Sequence, residues 1–384
     1  MTKARSNATA NAAKGDLTVG NGTNLSGVLS VSQNGETIVA DSSQAVGLRY
    51  NPQNALVNPV INGGFDIAQR GTSVSIGASA NGYTLDRWFY GTAANQASTI
   101  SQQATGDTTN LPNIQSCVRV QRNSGQTGAG ATGFDMSMET RNSIPYAGKT
   151  VTISFYARAG ALYSPTSGVL NAQLVSGTGT DQSVSFGYTG SSTVISQNAT
   201  LTTTWQRFAY TGTIAATATE LAIRFISTWV GTAGATDYYE VTGVQIDLGT
   251  YTASTAPTFR RSGGTIQGEL AACQRYYWRN TSGETLAAMS GASGAGSTTE
   301  VDHAVVFPVP MRVRPTSLDY SALGTYDFVT TYTTGTYALI GARSGTQFAS
   351  IRYTHPSGAL TQYRPYQIIA NSSAAAYIGL SAEL

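Results

Sequence analysis

The chain has 384 residues, of which 11% are charged and 41% hydrophobic, and its 22 Lys plus Arg against 20 Asp plus Glu leave a formal net charge of +2. That length holds two or three cores. The lack of a basic run excludes nucleic acid as a partner, and no stretch approaches the roughly 18 apolar residues that a membrane span requires.

Met1–Arg5 leads into polar residues, so the start does not read as a secretion signal. After it, Leu17-Thr18-Val19, Val28-Leu29-Ser30-Val31 and Thr37-Ile38-Val39 alternate, with turns expected at Gly20-Asn21-Gly22 and Asn34-Gly35. Each run offers two or three apolar side chains, too few to fold alone. Residues 1–53 are therefore expected to order by wrapping around copies of themselves or by docking on a partner, with a disordered tail as the alternative.

Residues 54–262 read as one β-sandwich. Strands are expected at 116–122, 150–160, 171–177, 182–188, 205–214, 221–228 and 238–249, separated by polar loops. The 42 glycines, with abundant Ser, Thr and Asn, suit the turns of such a fold. In "GGTIQGELAACQRYYWR" (263–279), Ile266, Leu270, Cys273 and Tyr277 fall at helical spacing, which predicts one short helix after a Gly263-Gly264 joint. "SGASGAGSTTE" (290–300) reads as a flexible loop, and strands resume from His303 to Leu384 as a second, smaller β domain. The fold class is thus all-β: an N-terminal segment (1–53), a central sandwich (54–262), and a short helix with a C-terminal sandwich (263–384). Cys117 and Cys273 lie too far apart in sequence for a metal motif and are read as buried free thiols.

Six stretches carry a resemblance. "NPVINGGFDIAQRGTS" (58–73) with "GYTLDRW" (82–88) resembles the start of jelly-roll modules in bacteriophage tail fibres and related virion proteins, and "YYEVTGVQIDLGTYTASTAPTFRR" (238–261) is similar to their closing strand. "GELAACQRYYWR", "FPVPMRVRPT" and the leader from Ala13 to Tyr50 resemble segments of the same proteins. Within the opening motif, Asn62, Gly63 and Gly64 suit a turn with positive φ, and Phe65, Ile67, Trp88 and Phe89 suit the core. Asp86 is expected to pair with the adjacent Arg87. This motif specifies a scaffold rather than a chemistry.

Catalysis has little to work with. Glycoside hydrolysis needs two facing carboxylates, and the candidate pairs, Asp135 with Glu139 and Asp237 with Glu240, read more simply as turn caps or solvated surface. The two histidines, His303 and His355, lie near no nucleophile motif, and close-set metal ligands are missing. No cofactor is expected, and calcium on loop oxygens around Asp66 or Asp247 is the one ion that fold analogy allows. Binding is better supplied. Tyr326, Tyr332 and Tyr363 pair flat rings with hydroxyl rims, and Arg343 and Arg352 add donors for acidic sugars or lipopolysaccharide phosphates. About half of the late tyrosines are expected in the core. Trp229, Tyr238 and Tyr239 are the alternative candidates, with core packing the stronger reading for Trp229.

The resemblance implies a non-catalytic tail fibre or receptor-binding protein of a virion, a homotrimer. Residues 1–53 would hold other virion proteins, and the C-terminal domain would meet host polysaccharide or lipopolysaccharide. A polysaccharide depolymerase spike and a capsid decoration or head fibre are the alternatives.

Overall fold

Alternation of apolar and polar residues becomes antiparallel strand pairing along most of the chain. A computed structural model describes residues 14–20, 26–30, 37–41, 44, 46–51, 58–111 and 113–384, which fall into two units, Met1–Asn58 and Pro59–Leu384. In the first unit β1 (Leu17–Gly20) pairs with β2 (Ser26–Leu29), and β3 (Thr37–Ala40) pairs with β4 (Leu48–Asn51). Asp41 and Arg49 form an ion pair at 2.9 Å. Leu17 and Ile38 stay largely exposed, as the scarcity of apolar side chains predicts. Most of the two expected Asn-Gly turns lies outside the described residues.

The second unit opens with twelve strands. They are β5 (Ser73–Ile76), β6 (Asn81–Tyr83), β7 (Phe89–Gly91), β8 (Ser98–Ala104), β9 (Ser116–Arg122) and β10 (Gly130–Ser137). After α1 (Thr140–Ser143) come β11 (Thr150–Ala159), β12 (Val169–Gly177), β13 (Ser192–Thr200), β14 (Gln206–Thr213), β15 (Glu220–Trp229) and β16 (Tyr238–Leu248). They form two six-stranded sheets, ordered β13-β12-β15-β10-β7-β6 and β14-β11-β16-β9-β8-β5. This is the jelly-roll sandwich. Trp88 stacks on Phe134 at 4.8 Å between ring centroids. Phe225 of one sheet meets Phe155 of the other edge to face at 4.9 Å, so aromatic contacts bridge the layers.

The chain departs from expectation at 182–188. Instead of a strand it makes a 3-10 turn at Val184–Phe186, because Ser137 Oγ accepts from the Val184 amide and Gly187 takes φ 94°. In the turn from Asn62 to Phe65 the positive φ angles belong to Asn62 and Phe65, not to Gly63 and Gly64. Gly63 and Gly64 serve close approach: a Cβ on Gly63 would lie 2.2 Å from Val244 O, and one on Gly64 2.9 Å from the Phe259 ring. Asp86 and Arg87 do not pair. Asp86 accepts from the Gln69 amide at 2.7 Å, while Arg87 pairs with Glu383 and donates to Ser137 O at 2.6 Å.

Helix α2 (Ile266–Gln274) begins where Thr265 Oγ1 accepts from the Gly268 amide at 3.1 Å, an N-cap. It is shorter than the apolar spacing suggests. Tyr277 starts a strand instead, and Leu270 and Cys273 pack with Ile61, Ile67 and Tyr276 of the same chain. The apolar face of the helix is therefore covered from within the chain, and of its expected apolar residues Ile266 remains open. Nor is Gly263 a loose joint. Its Cβ would strike the Gly268 carbonyl carbon at 2.0 Å, and its amide donates to Glu269 Oε2 at 2.7 Å. Both cysteines are free and buried.

The C-terminal lobe consists of β17 (Tyr277–Thr281), β18 (Ser293–Gly294), β19 (Glu300–Val306), β20 (Ser317–Ser321), β21 (Leu323–Tyr326), β22 (Thr331–Tyr332), β23 (Thr336–Leu339), β24 (Phe348–Thr354), β25 (Pro365–Ala370) and β26 (Tyr377–Ser381). Three small sheets, β17-β26-β20, β18-β25-β21-β22 and β19-β24-β23, enclose a core that includes Ile351, Tyr353, Tyr366, Ile368 and Leu380. The segment 290–300, expected as a flexible loop, holds β18 and a turn in which Ser297 Oγ accepts from the amides of Thr299 and Glu300 at 3.1 Å.

The chain's last residues return to the jelly roll. Glu383 pairs with buried Arg87 and, at 3.4 Å, with Arg70. The Arg87 guanidinium lies 3.5 Å over the Tyr276 ring, and Tyr83 donates to Leu384 O at 2.9 Å. Arg275–Glu139 at 2.8 Å and Arg312–Asp181 at 3.2 Å complete this seam.

Candidate binding sites

The outer face of the β13-β12-β15-β10-β7-β6 sheet carries two side-chain rows in register. One runs Asn198, Asn171, Ile226, Gly133, Gly91, Asn81. The next runs Ser196, Gln173, Arg224, Asp135, Phe89, Tyr83. Amides fix the first part of this floor: Asn171 Nδ2 donates to Asn198 Oδ1 and Gln173 Nε2 to Asn171 Oδ1, both at 2.8 Å. A hollow of about 450 Å³ lies over Asn171, Asn198 and Ile226. Another of about 280 Å³ lies over Gly133, Asp135, Arg224 and Phe186. Gly133 keeps the second open, since a Cβ there would press within 3.3 Å of Arg224 Nη2 and 3.4 Å of Ile226 Cδ1.

Asp135 is the chemically distinctive group in that hollow. Its Oδ2 accepts from Ser185 Oγ at 2.8 Å, Arg224 Nε stands 3.9 Å away, and buried Oδ1 has no partner. Burial outweighs the Ser185 bond and the Arg224 charge and raises its pKa to about 6. Beside it Phe186 is 71% exposed and packs edge to face on Phe89 at 5.5 Å. An exposed ring face and fixed amides match what a sugar presents: an apolar ring face edged with hydroxyls. Alternation placed Arg224 on a strand, but Phe186 was hidden by the strand pattern of 182–188.

In the C-terminal lobe the structure brings two of the expected residues together. Arg352 lies between Glu300 at 2.8 Å and Asp302 at 2.7 Å, and Arg343 also pairs with Asp302. Hydrogen bonding to Arg352 holds the Asp302 carboxyl below its ordinary pKa. With Gly294, Gly296 and Ser297 they line a polar hollow of about 320 Å³. Tyr363 adjoins it: its amide donates to Ala295 O at 2.9 Å and its side chain is 81% exposed. Tyr326 and Tyr332 belong to a neighbouring hairpin, where Tyr332 packs on His355 and Tyr366 and Tyr326 on Phe328. Tyr337, Tyr353 and Tyr366 are core residues. His303 is buried too, and burial lowers its pKa to about 4.

The alternative aromatic set is packed away. Trp229 and Tyr239 are fully buried, Trp229 donating to Thr132 Oγ1 at 2.8 Å. Tyr238 is half-buried, with the Arg119 guanidinium 3.9 Å over its ring. The carboxylates considered for catalysis face arginines: Glu139 holds Arg275, Asp237 holds Arg122 at 2.8 Å, and Glu240 holds Arg119 and Arg158. Asp66 and Asp247, considered for calcium, face Arg261 and Arg260. Among the described residues no group of three or more His, Cys, Asp or Glu is placed to hold a metal ion, and no helix is long and apolar enough to cross a membrane.

No protein-family model matches the chain, and no curated protein matches its sequence. Solved structures align with part of the chain. The enzymatically active domain of bacteriophage CBA120 tailspike protein 4 aligns at 14% identity over 50% of this chain and 21% of that one, with a TM-score of 0.31. The C-terminal family 22 carbohydrate-binding module of Clostridium thermocellum Xyn10B aligns at 13% identity over 53% of this chain and 99% of that one, with a TM-score of 0.29. TmCBM61, solved with β-1,4-galactotriose, aligns at 12% identity over 50% and 99%, with a TM-score of 0.30. This chain therefore spans about a fifth of the tailspike domain and nearly all of each binding module.

Proposed function

We propose that the protein is a non-catalytic, glycan-binding virion protein whose jelly roll takes a host surface polysaccharide on the outer face of its β13-β12-β15-β10-β7-β6 sheet. The observation that carries this reading is the register itself. Two rows cross six strands and set amides and an Asp–Arg pair on one surface, beside which the Val184–Phe186 turn holds the exposed Phe186 ring. Binding without cleavage is supported by the single carboxylate there, since hydrolysis asks for two. The depolymerase alternative would have to recruit its second acid from elsewhere. The virion role rests on the sequence motifs at the opening and close of the jelly roll and in the leader. Through residues 1–53 the chain would meet other virion proteins as a homotrimer.

The test is a panel of bacterial capsular and O-antigen polysaccharides offered to the full chain, with Phe186→Ala and Asn171→Ala beside it. Retention of at least one polysaccharide, weakened about tenfold by either change (~1.4 kcal/mol), is expected, with no release of reducing ends. Retention untouched by both changes refutes the sheet-face site, and released reducing ends refute the non-catalytic role.

A further inference from the structure

The C-terminal lobe ends in two adjoining turns that display aromatic rings at a conformational cost. Phe328, in the turn between β21 and β22, and Tyr363, in the turn before β25, have φ of 67° and 66°. Bulky side chains rarely adopt this left-handed backbone, and where they do, the surrounding structure must impose it. Here it does. Asp327 Oδ1 accepts from the amides of Val329 and Thr330 at 3.0 and 2.5 Å and closes the first turn. Arg364 Nε reaches Asp327 Oδ2 at 3.3 Å, and its Nη2 donates to Asp327 O at 3.2 Å, which ties the second turn to the first. Glycine would serve both positions without strain, yet both carry rings, and neither ring is buried: Phe328 is 52% exposed and Tyr363 81%. Packing explains them only in part: Phe328 meets the Tyr326 ring at 5.6 Å between centroids, and about half of its surface stays open.

What lies beside the rings narrows the occupant. The Tyr363 carbonyl backs onto Gly294, 3.8 Å from where a Cβ would sit. Gly294 is part of the rim of the hollow floored by Arg352 and walled by Arg343, Glu300 and Asp302. Two arginines against two carboxylates leave that hollow without net charge, supplying donors and acceptors in equal measure. An exposed Tyr363 ring beside a charge-balanced polar hollow, with the exposed Phe328 ring on the turn tied to it through Arg364, suits a neutral saccharide better than an anion or an apolar surface. We propose that this tip is a second, independent glycan site, in which Phe328 and Tyr363 stack on neutral sugar rings and the Arg343–Asp302–Arg352 hollow takes their hydroxyls.

The test uses the full chain, the same polysaccharide panel restricted to uncharged polymers, and thermal unfolding in parallel. Phe328→Gly and Tyr363→Gly are expected to lower retention at least tenfold while the melting temperature stays within ~2 °C, because glycine accepts the backbone and little buried contact is lost. A fall in melting temperature of more than ~5 °C would make the rings structural and overturn the proposal. So would retention unchanged by both variants. Phe186→Ala separates this site from the sheet face. Retention lost in Phe186→Ala alone leaves the sheet-face reading standing and removes this one, and retention lost in the two glycine variants alone does the reverse. Failure of the wild-type chain to retain any uncharged polymer overturns the tip site, while charged polymers still test the sheet face.

Discussion

Removing the Glu383 side chain tests how the two lobes of the second unit are joined. Arg87 is 1% exposed and Glu383 3%, so their ion pair is sealed from water. Burial opposes the Arg87 charge, and Glu383 together with Tyr276 and Tyr83 more than restores it, so the guanidinium stays protonated. In Glu383→Ala that charge stays buried without its counter-ion, a change that costs about 3–5 kcal/mol in other buried pairs. Two contacts survive: the Ser137 carbonyl at 2.6 Å and the Tyr276 ring at 3.5 Å. The loss should therefore fall near the lower figure, about 3 kcal/mol. For a cooperative unit of this size, with an unfolding entropy of roughly 0.7 kcal/mol per degree, that is a drop of about 4 °C in Tm. Calorimetry on Glu383→Ala, Arg87→Met and the double variant supplies the cycle. The double variant should be more stable than Glu383→Ala alone, since it no longer buries a lone charge. A shift under ~1 °C in Glu383→Ala, or strict additivity in the double variant, would refute the reasoning. The same geometry warns against testing function with a chain ended at Arg261, which would strip Arg87 of Glu383 and Tyr276 together.

Other expectations are as direct. Asp135 has its folded pKa raised to about 6, so its ionisation opposes folding as pH rises from the unfolded value near 4 through 6. Asp135→Asn should stabilise by about 2–3 kcal/mol at pH 8 and hardly at all at pH 4 in urea titrations, and an equal effect at both would contradict the burial argument. His303, depressed to about 4, folds neutral, so its contribution is intact above pH 6.5 and is lost as pH falls toward 4; His303→Phe should flatten that acid limb of the stability curve. Gly63→Ala should destabilise by more than ~2 kcal/mol or prevent folding, because its Cβ would sit 2.2 Å from a backbone oxygen, and a melting temperature unchanged from wild type would show that the opening turn can move aside. Light scattering should give three times the 40.0 kDa chain mass, and a monomer with both lobes folded would remove the trimer.

The sandwich was legible because period-two alternation survives in its longer strands: 116–122, 221–228 and 238–249 appear at nearly those bounds as β9, β15 and β16. Strands with a weaker pattern, such as β8 and β13, left no comparable mark. Residues 182–188 alternate too, yet side chains of a neighbouring strand capture Val184 and Ser185 and turn the segment outward, a tertiary override that no local pattern reports. The roles of Gly63 and Gly263 were misassigned for a related reason. Glycine is needed both for unusual φ and for close approach, and only the distance to Val244 or Gly268 tells the two apart. The sheet-face site needed strand order. Asn171, Arg224 and Asp135 are distant in sequence and become neighbours only through β12-β15-β10 pairing. Arg343 and Arg352 were singled out because charged residues on short strands and turns stand out by type alone.

The return of the chain's last residues to the jelly roll has a mechanical consequence. Strand β26, hydrogen-bonded on both sides by β17 and β20, runs directly into the Glu383 clamp. A load applied to the C-terminal lobe reaches the jelly roll by two routes in parallel, the covalent passage through 262–265 and the seam, where Arg87, Arg70 and Tyr83 hold the tail and Glu139 and Asp181 hold Arg275 and Arg312. Swinging the lobes apart about the first route alone is blocked until the second gives way. The connection therefore behaves as a closed bracket rather than a hinge, and a pull on the tip is spread across the sandwich instead of bending one joint.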